Sequence, residues 1–165
     1  MQLSYWEYKT WFSKVDFTII GSGIVGLSCA LQLKEKYPKS KILVLEKGSL
    51  PQGASTKNAG FACFGSISEV LSDLKNHSEE EVVNLVKKRW EGIHNLRQLL
   101  GDKTIGFEQR GGHELFVEQN PELYENCLEQ IGHLNRLLQP IFGKDPFVTT
   151  GNNFGFGQIR EKYIT

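Results

Sequence analysis

The hydrophobic pattern changes period several times along the chain, and each change marks an element. Residues 15–20 are mostly β-branched or aromatic and end at Gly21, which predicts a buried strand. Residues 24–36 then carry Ile24, Val25, Leu27, Leu31 and Leu33 at helical spacing, which predicts a helix ended by Pro38. Residues 41–46 form a second apolar run that closes on Glu46. Two strands joined by one helix within about 30 residues predict a right-handed βαβ crossover with parallel strands.

Ahead of this unit, Ser4 and Glu7 have the spacing of a capping box. They predict a short helix whose Tyr5, Trp6, Trp11 and Phe12 pack on the body of the protein. A membrane-surface role fits less well, because the helix is short and weakly basic. Behind the unit, residues 47–65 are rich in Gly, Ser, Ala and Asn, a composition suited to close approach of a ligand. Helices are predicted at 68–75 and 79–100. The second has a Ser78–Glu81 capping box, an apolar stripe from Val82 through Trp90 to Leu100, and Gly101 as terminator. Residues 107–118 read as two strands around a Gly111-Gly112 turn. Asn120-Pro121 opens a helix running to about Leu138, and residues 142–165 show no clean element. The expected fold class is α/β: a Rossmann-like βαβ unit, then helices and the start of an α+β domain. The expected division is an arm at 1–15, the βαβ unit with its loop at 16–76, and the remainder at 77–165.

Composition narrows the chemistry. Nineteen basic residues balance nineteen acidic ones, so charge gives no reason to expect nucleic acid or an anionic membrane as partner. No apolar run reaches the roughly 18 residues of a membrane span, and the N-terminus lacks a signal-peptide core; the cytoplasm is the expected compartment. Cys29, Cys63 and Cys127 are odd in number and widely spaced, which argues against a disulfide framework and against a metal site. Cys29, inside the first helical pattern, reads as a small buried hydrophobe.

The chemistry-bearing motif is Gly21-Ser22-Gly23-Ile24-Val25-Gly26, which fits G-x-G-x-x-G between a strand and a helix, with Glu46 twenty positions after its last glycine. Gly21 allows the tight turn, Gly23 lets a pyrophosphate approach the backbone, and Gly26 lets helix and strand pack closely. The amides near Ile24 and Val25 face an anion at the positive end of the helix. Glu46 would accept hydrogen bonds from ribose hydroxyls and repel a 2′-phosphate, which disfavours NADP. A kinase glycine loop is set aside, because a helix rather than a V-A-I-K strand follows. The glycines and Glu46 do not separate NAD from FAD.

The following loop, Gly53-Ala54-Ser55-Thr56-Lys57-Asn58-Ala59-Gly60-Phe61, resembles that of the D-amino-acid oxidase and glycine oxidase family, the DAO-type FAD-dependent oxidoreductases. Gly111 through Phe116 resembles the strand that opens the family's substrate domain. The resemblance implies FAD as cofactor and a small-molecule amine or amino acid as substrate. It implies that Gly21, Gly23 and Gly26 line the pyrophosphate, that Glu46 holds the ribose, and that Lys47 lies near the adenine. Ser55 and Thr56 would donate to phosphate oxygens, while Asn58, Ala59 and Gly60 would run along the flavin. It also implies a longer enzyme, of which this chain is expected to be the N-terminal part. No catalytic residue is assigned; His94, His113 and His133 qualify only by type. The alternatives are a NAD-binding dehydrogenase-type protein and a non-catalytic dinucleotide-binding fragment.

Overall fold

The computed structural model describes residues 3–116, 121–150 and 157–161; the expectations for residues 117, 118 and 120, and for 151–156 and 162–165, fall outside these. The chain divides into two compact units, Met1–Gly60 and Phe61–Thr165.

The first unit opens with α1 (Tyr5–Glu7), which continues into a π-helical turn at Tyr8–Phe12. Its predicted capping box is present: the Ser4 amide donates to Glu7 at 2.7 Å and the Glu7 amide to the Ser4 hydroxyl at 3.2 Å. The end of the turn is held by Lys41, whose ammonium donates to the carbonyls of Thr10 (2.7 Å) and Ser13 (2.8 Å), a cation at a helical C-terminus. The arm is thus attached through its backbone. The expected burial of its rings does not occur: Tyr5, Trp6, Tyr8 and Trp11 are exposed. They associate locally instead, Tyr5 edge-on to Trp6 and the Lys9 ammonium over both rings.

Strands β1 (Phe17–Ile20) and β2 (Ile42–Leu45) pair in parallel, Phe17 against Ile42 through Ile20 against Leu45, and α2 (Ile24–Lys36) makes the crossover. The elements match the hydrophobic pattern, but the expected burial of strand and helix is corrected. Helix α2 has no buried residue, β1 alternates between half-buried and exposed, and Cys29 is exposed. The reason is geometric. One helix covers one face of a two-stranded sheet and leaves the other face and both edges open. Ile20 and Val25 are accordingly 88% and 83% exposed.

The second unit contains α3 (Ile67–Leu74), α4 (Glu79–Leu100), the short α5 (Asp102–Ile105), β3 (Gly112–Phe116), α6 (Pro121–Phe142), β4 (Phe147–Thr149) and β5 (Gly157–Glu161). Helix α3, grouped by the sequence with the βαβ unit, belongs here. It starts on a Ser66–Glu69 capping box, as α4 does on Ser78–Glu81. The three strands form an antiparallel sheet in the order β3-β5-β4.

Two expectations are corrected here. Residues 107–110 are not a strand, so Gly111-Gly112 is not a hairpin turn; β3 pairs instead with the distant β5. The Arg97 guanidinium lies 4.1 Å from the Phe107 ring and makes two hydrogen bonds to Asp102. These contacts hold the chain after α5 against the end of α4 rather than beside β3. The stretch expected to lack elements supplies both β4 and β5.

Here the core is complete. Phe64, Ile67, Val70, Val82, Val86, Leu134, Leu138, Phe147 and Ile159 are all buried, with Trp90 and Phe142 packed against them. Asn135 replaces a missing backbone partner for β4, donating to the Phe147 carbonyl at 2.9 Å and accepting from its amide at 3.1 Å. Glu114 on β3 accepts from the amide of Ser68 at 3.1 Å and from its hydroxyl, tying the sheet to the start of α3.

The difference in burial predicts thiol reactivity. Cys127 is buried, and desolvation and then the nearby Glu114 charge push its thiol up to about 11. Cys29 and Cys63, both exposed, are expected to react with a disulfide reagent in the native protein, and Cys127 only on unfolding. Mass mapping of labelled peptides checks this. Leu134→Ala, in the complete core, is expected to destabilise the second unit by about 2–5 kcal/mol in denaturant titration.

Candidate nucleotide-binding site

The glycine turn connects β1 to α2, and each glycine has a visible local reason. Gly21 has φ +98°, a region that L side chains rarely adopt, and nothing lies within 4 Å of where its Cβ would be. Its amide donates to the Leu45 carbonyl at 2.7 Å, one rung beyond the parallel pair. A Cβ on Gly26 would collide with the Gly21 carbonyl oxygen, so the helix approaches the turn as closely as glycine permits. A Cβ on Gly23 would lie 2.9 Å from the Ser55 hydroxyl oxygen.

Gly23 is the N-cap of α2 and has no side chain to satisfy the first amides of the helix. Ser55, from the 3₁₀ turn Ala54–Thr56, fills that need: its hydroxyl oxygen accepts from the Ile24 amide at 2.9 Å. Val25 follows at the exposed start of the helix.

Glu46 directly follows β2 and turns back onto the glycine turn. One carboxylate oxygen accepts from the amide and the hydroxyl of Ser22, both at 2.8 Å. The other accepts from the amides of Lys47 (3.0 Å) and Gly48 (3.4 Å). The Ser22 amide, then its hydroxyl, then the Gly48 amide hold the Glu46 carboxyl below its ordinary value of 4.5. Ser22 was not singled out by the motif, which treats it as a free position. The available signal was a hydroxyl residue between two glycines, facing an acidic strand end.

The remaining predicted residues serve the loop. Thr56 donates to the carbonyls of Pro51 and Gly53. Asn58 donates to the Ser55 carbonyl at 2.9 Å and accepts from the Gly60 amide at 2.7 Å, and Gly60 has φ +76°. Lys57 and Ala59 are exposed. The fold thus gathers Gly21, Gly23, Ile24, Gly26, Glu46 and Ser55 around one turn, with Lys47 contributing its amide. Thr56, Asn58, Ala59 and Gly60 form the adjoining loop wall. Of the histidines, His94 bonds the Trp90 carbonyl at 2.9 Å and His133 the Glu79 carboxylate at 3.0 Å; both act on helix surfaces.

These groups fit the ADP half of a dinucleotide. A carboxylate stands at one end of the glycine turn, and the N-terminus of a helix with its amides stands at the other. Among the described residues, no cluster suits a metal ion, and no helix is long and apolar enough to cross a membrane.

A family model described as FAD dependent oxidoreductase (DAO) matches residues 16–151, well over half the chain. L-2-hydroxyglutarate dehydrogenases of Salmonella houtenae and Escherichia coli (strain K12) are 56% identical over 36 residues. That stretch is 22% of this chain and only 8% of the length of those relatives. No solved structure matches the chain.

The depressed carboxyl of Glu46 has a pH consequence with a definite sign. A carboxyl lowered by folding contributes stability that is complete above its unfolded value and is lost as pH falls through the folded value. The Ser22–Glu46 closure is therefore expected to be intact at neutral pH and to weaken below about 4.5. Glu46→Gln should shrink the acid-induced drop in melting temperature of the first unit. Equal drops in both proteins would contradict it.

Proposed function

On the premise that the chain belongs to the DAO family of FAD-dependent oxidoreductases, with FAD as its cofactor, we propose that residues 21–60 hold the ADP half of FAD in an enzyme that oxidises a 2-hydroxy acid. The observation that carries the binding reading is Glu46 folded back onto the glycine turn, beside the N-terminus of α2. In this reading Glu46 accepts from the ribose hydroxyls. The amides of Ile24 and Val25 meet the phosphates, with Gly21, Gly23 and Gly26 leaving room for them. Ser55 and Thr56 donate to phosphate oxygens, Lys47 lies by the adenine, and Asn58, Ala59 and Gly60 flank the flavin. FAD supplies the acceptor for the two electrons removed from the substrate carbon. The protein residues bind and orient it.

The substrate class rests on the 36-residue similarity to L-2-hydroxyglutarate dehydrogenases. A second reading, an amine or amino acid, rests on the resemblance of the loop at 53–61 to that of the amino-acid oxidases. A 2-hydroxy acid and an amino acid both carry the oxidised carbon next to a carboxylate, whereas a simple amine does not. The three free cysteines fit a reducing compartment, and we place the protein in the cytoplasm.

Titration of the protein with FAD, followed by flavin fluorescence, is expected to show saturable binding. Glu46→Ala should weaken it about tenfold or more, the scale of lost hydrogen bonds to a charged acceptor. Wild-type affinity in that variant would remove Glu46 from the site. For the FAD-loaded full-length gene product under anaerobic conditions, 2-hydroxy acids should bleach the flavin absorbance. Bleaching by amino acids alone would favour the second reading, and bleaching by neither class would overturn both.

A further inference from the structure

We infer that two serine hydroxyls, Ser22 and Ser55, hold the nucleotide seat closed by imitating the ligand oxygens that displace them. The inference rests on the nucleotide reading of the site and adds to it how the protein's own hydroxyls compete with the ligand.

The two serines come from different segments and sit at opposite ends of the turn with opposite polarity. At the N-terminus of α2 the protein offers a donor, the Ile24 amide, and the Ser55 oxygen accepts from it at 2.9 Å. A phosphate oxygen would play that same accepting role. At the end of β2 the protein offers an acceptor, the Glu46 carboxylate, and the Ser22 hydroxyl donates to it at 2.8 Å. A ribose hydroxyl would play that same donating role. A hydroxyl is one of the few neutral groups able to take either part.

The carboxylate is also full. It has roughly four lone-pair positions. The amides of Ser22, Lys47 and Gly48 and the Ser22 hydroxyl supply four donors. Three of these are backbone groups fixed by the turn and the strand end. The Ser22 hydroxyl is the one that leaves by rotation about a single bond, so an incoming ribose exchanges with it. Likewise the Ile24 amide has one proton, and a phosphate oxygen that takes it releases Ser55. The two cases then differ. Ser55, once released, is free to donate to the same phosphate, whereas Ser22 loses its place on Glu46.

Bonds that an incoming nucleotide must displace oppose its binding by linkage. Removing the Ser22 hydroxyl should therefore weaken the free protein and strengthen binding. The test is thermal unfolding of the chain with and without saturating FAD, together with calorimetric titration of ADP. Ser22→Ala is expected to melt lower than wild type when free and level with it when FAD-saturated. It should bind ADP roughly three- to tenfold more tightly, the worth of one ordinary hydrogen bond. Ser22→Thr, which keeps a hydroxyl, should restore wild-type behaviour. FMN, which lacks the ADP half, should not distinguish the variants. Weaker ADP binding by Ser22→Ala, or equal losses of melting temperature with and without FAD, would overturn the inference while leaving the nucleotide site standing. A wild-type chain that binds neither ADP nor FAD would overturn both.

Discussion

Closure of the second strand onto the glycine turn is the contact on which the first unit depends. The Gly21 amide extends the parallel ladder to Leu45, and Glu46 immediately afterwards turns to grip Ser22 by two hydrogen bonds. Strand, turn and crossover helix are thereby fixed at one end. The same contact aims a carboxylate and a helix N-terminus at one space. Gly26 is the steric condition for it, since any Cβ there would strike the Gly21 carbonyl and push the helix away. Structure and binding chemistry therefore draw on the same few atoms.

The two units balance their energetics differently. The second encloses a core between α3, α4, α6 and a three-stranded sheet, and its polar links, Asn135 to Phe147 and Glu114 to Ser68, join elements across that core. Hydrophobic burial carries its stability. The first unit has two strands and one helix, and its apolar residues remain substantially in contact with water. Its definition comes more from specific polar closures: the Ser4–Glu7 box, Lys41 on the arm carbonyls, Asp16 on the Lys41 amide, and Glu46 on Ser22. Such exposed closures are modest individually, and those of Glu7 and Glu46, whose carboxyls are held below their ordinary value by the serines they grip, weaken in acid.

What could be read from the sequence follows from where the determining interactions lie. Helices α2 and α4 are legible to the residue, because the apolar period and terminator of both, and the serine cap of α4, are local. The parallel pair was legible for the same reason, as strand and crossover lie within one short span. Burial was not, because it depends on what covers a face rather than on the face itself; Cys29 and Ile20 have core-like neighbours in sequence and open surroundings in space. The hairpin expected at Gly111-Gly112 failed to form because β3 pairs with β5, and no local signal announces a long-range partner. In the site, the glycines and Glu46 followed from the motif. Ser22 did not, since its role appears only when the strand end folds back onto it.

The most direct test of the central claim is a backbone amide NMR titration of the chain with ADP. The account predicts that shifts concentrate at residues 21–26 and 46–48, with Ser22 and Ile24 foremost, and leave the helices of the second unit unmoved. Shifts centred elsewhere, or none at saturating ADP, would contradict it.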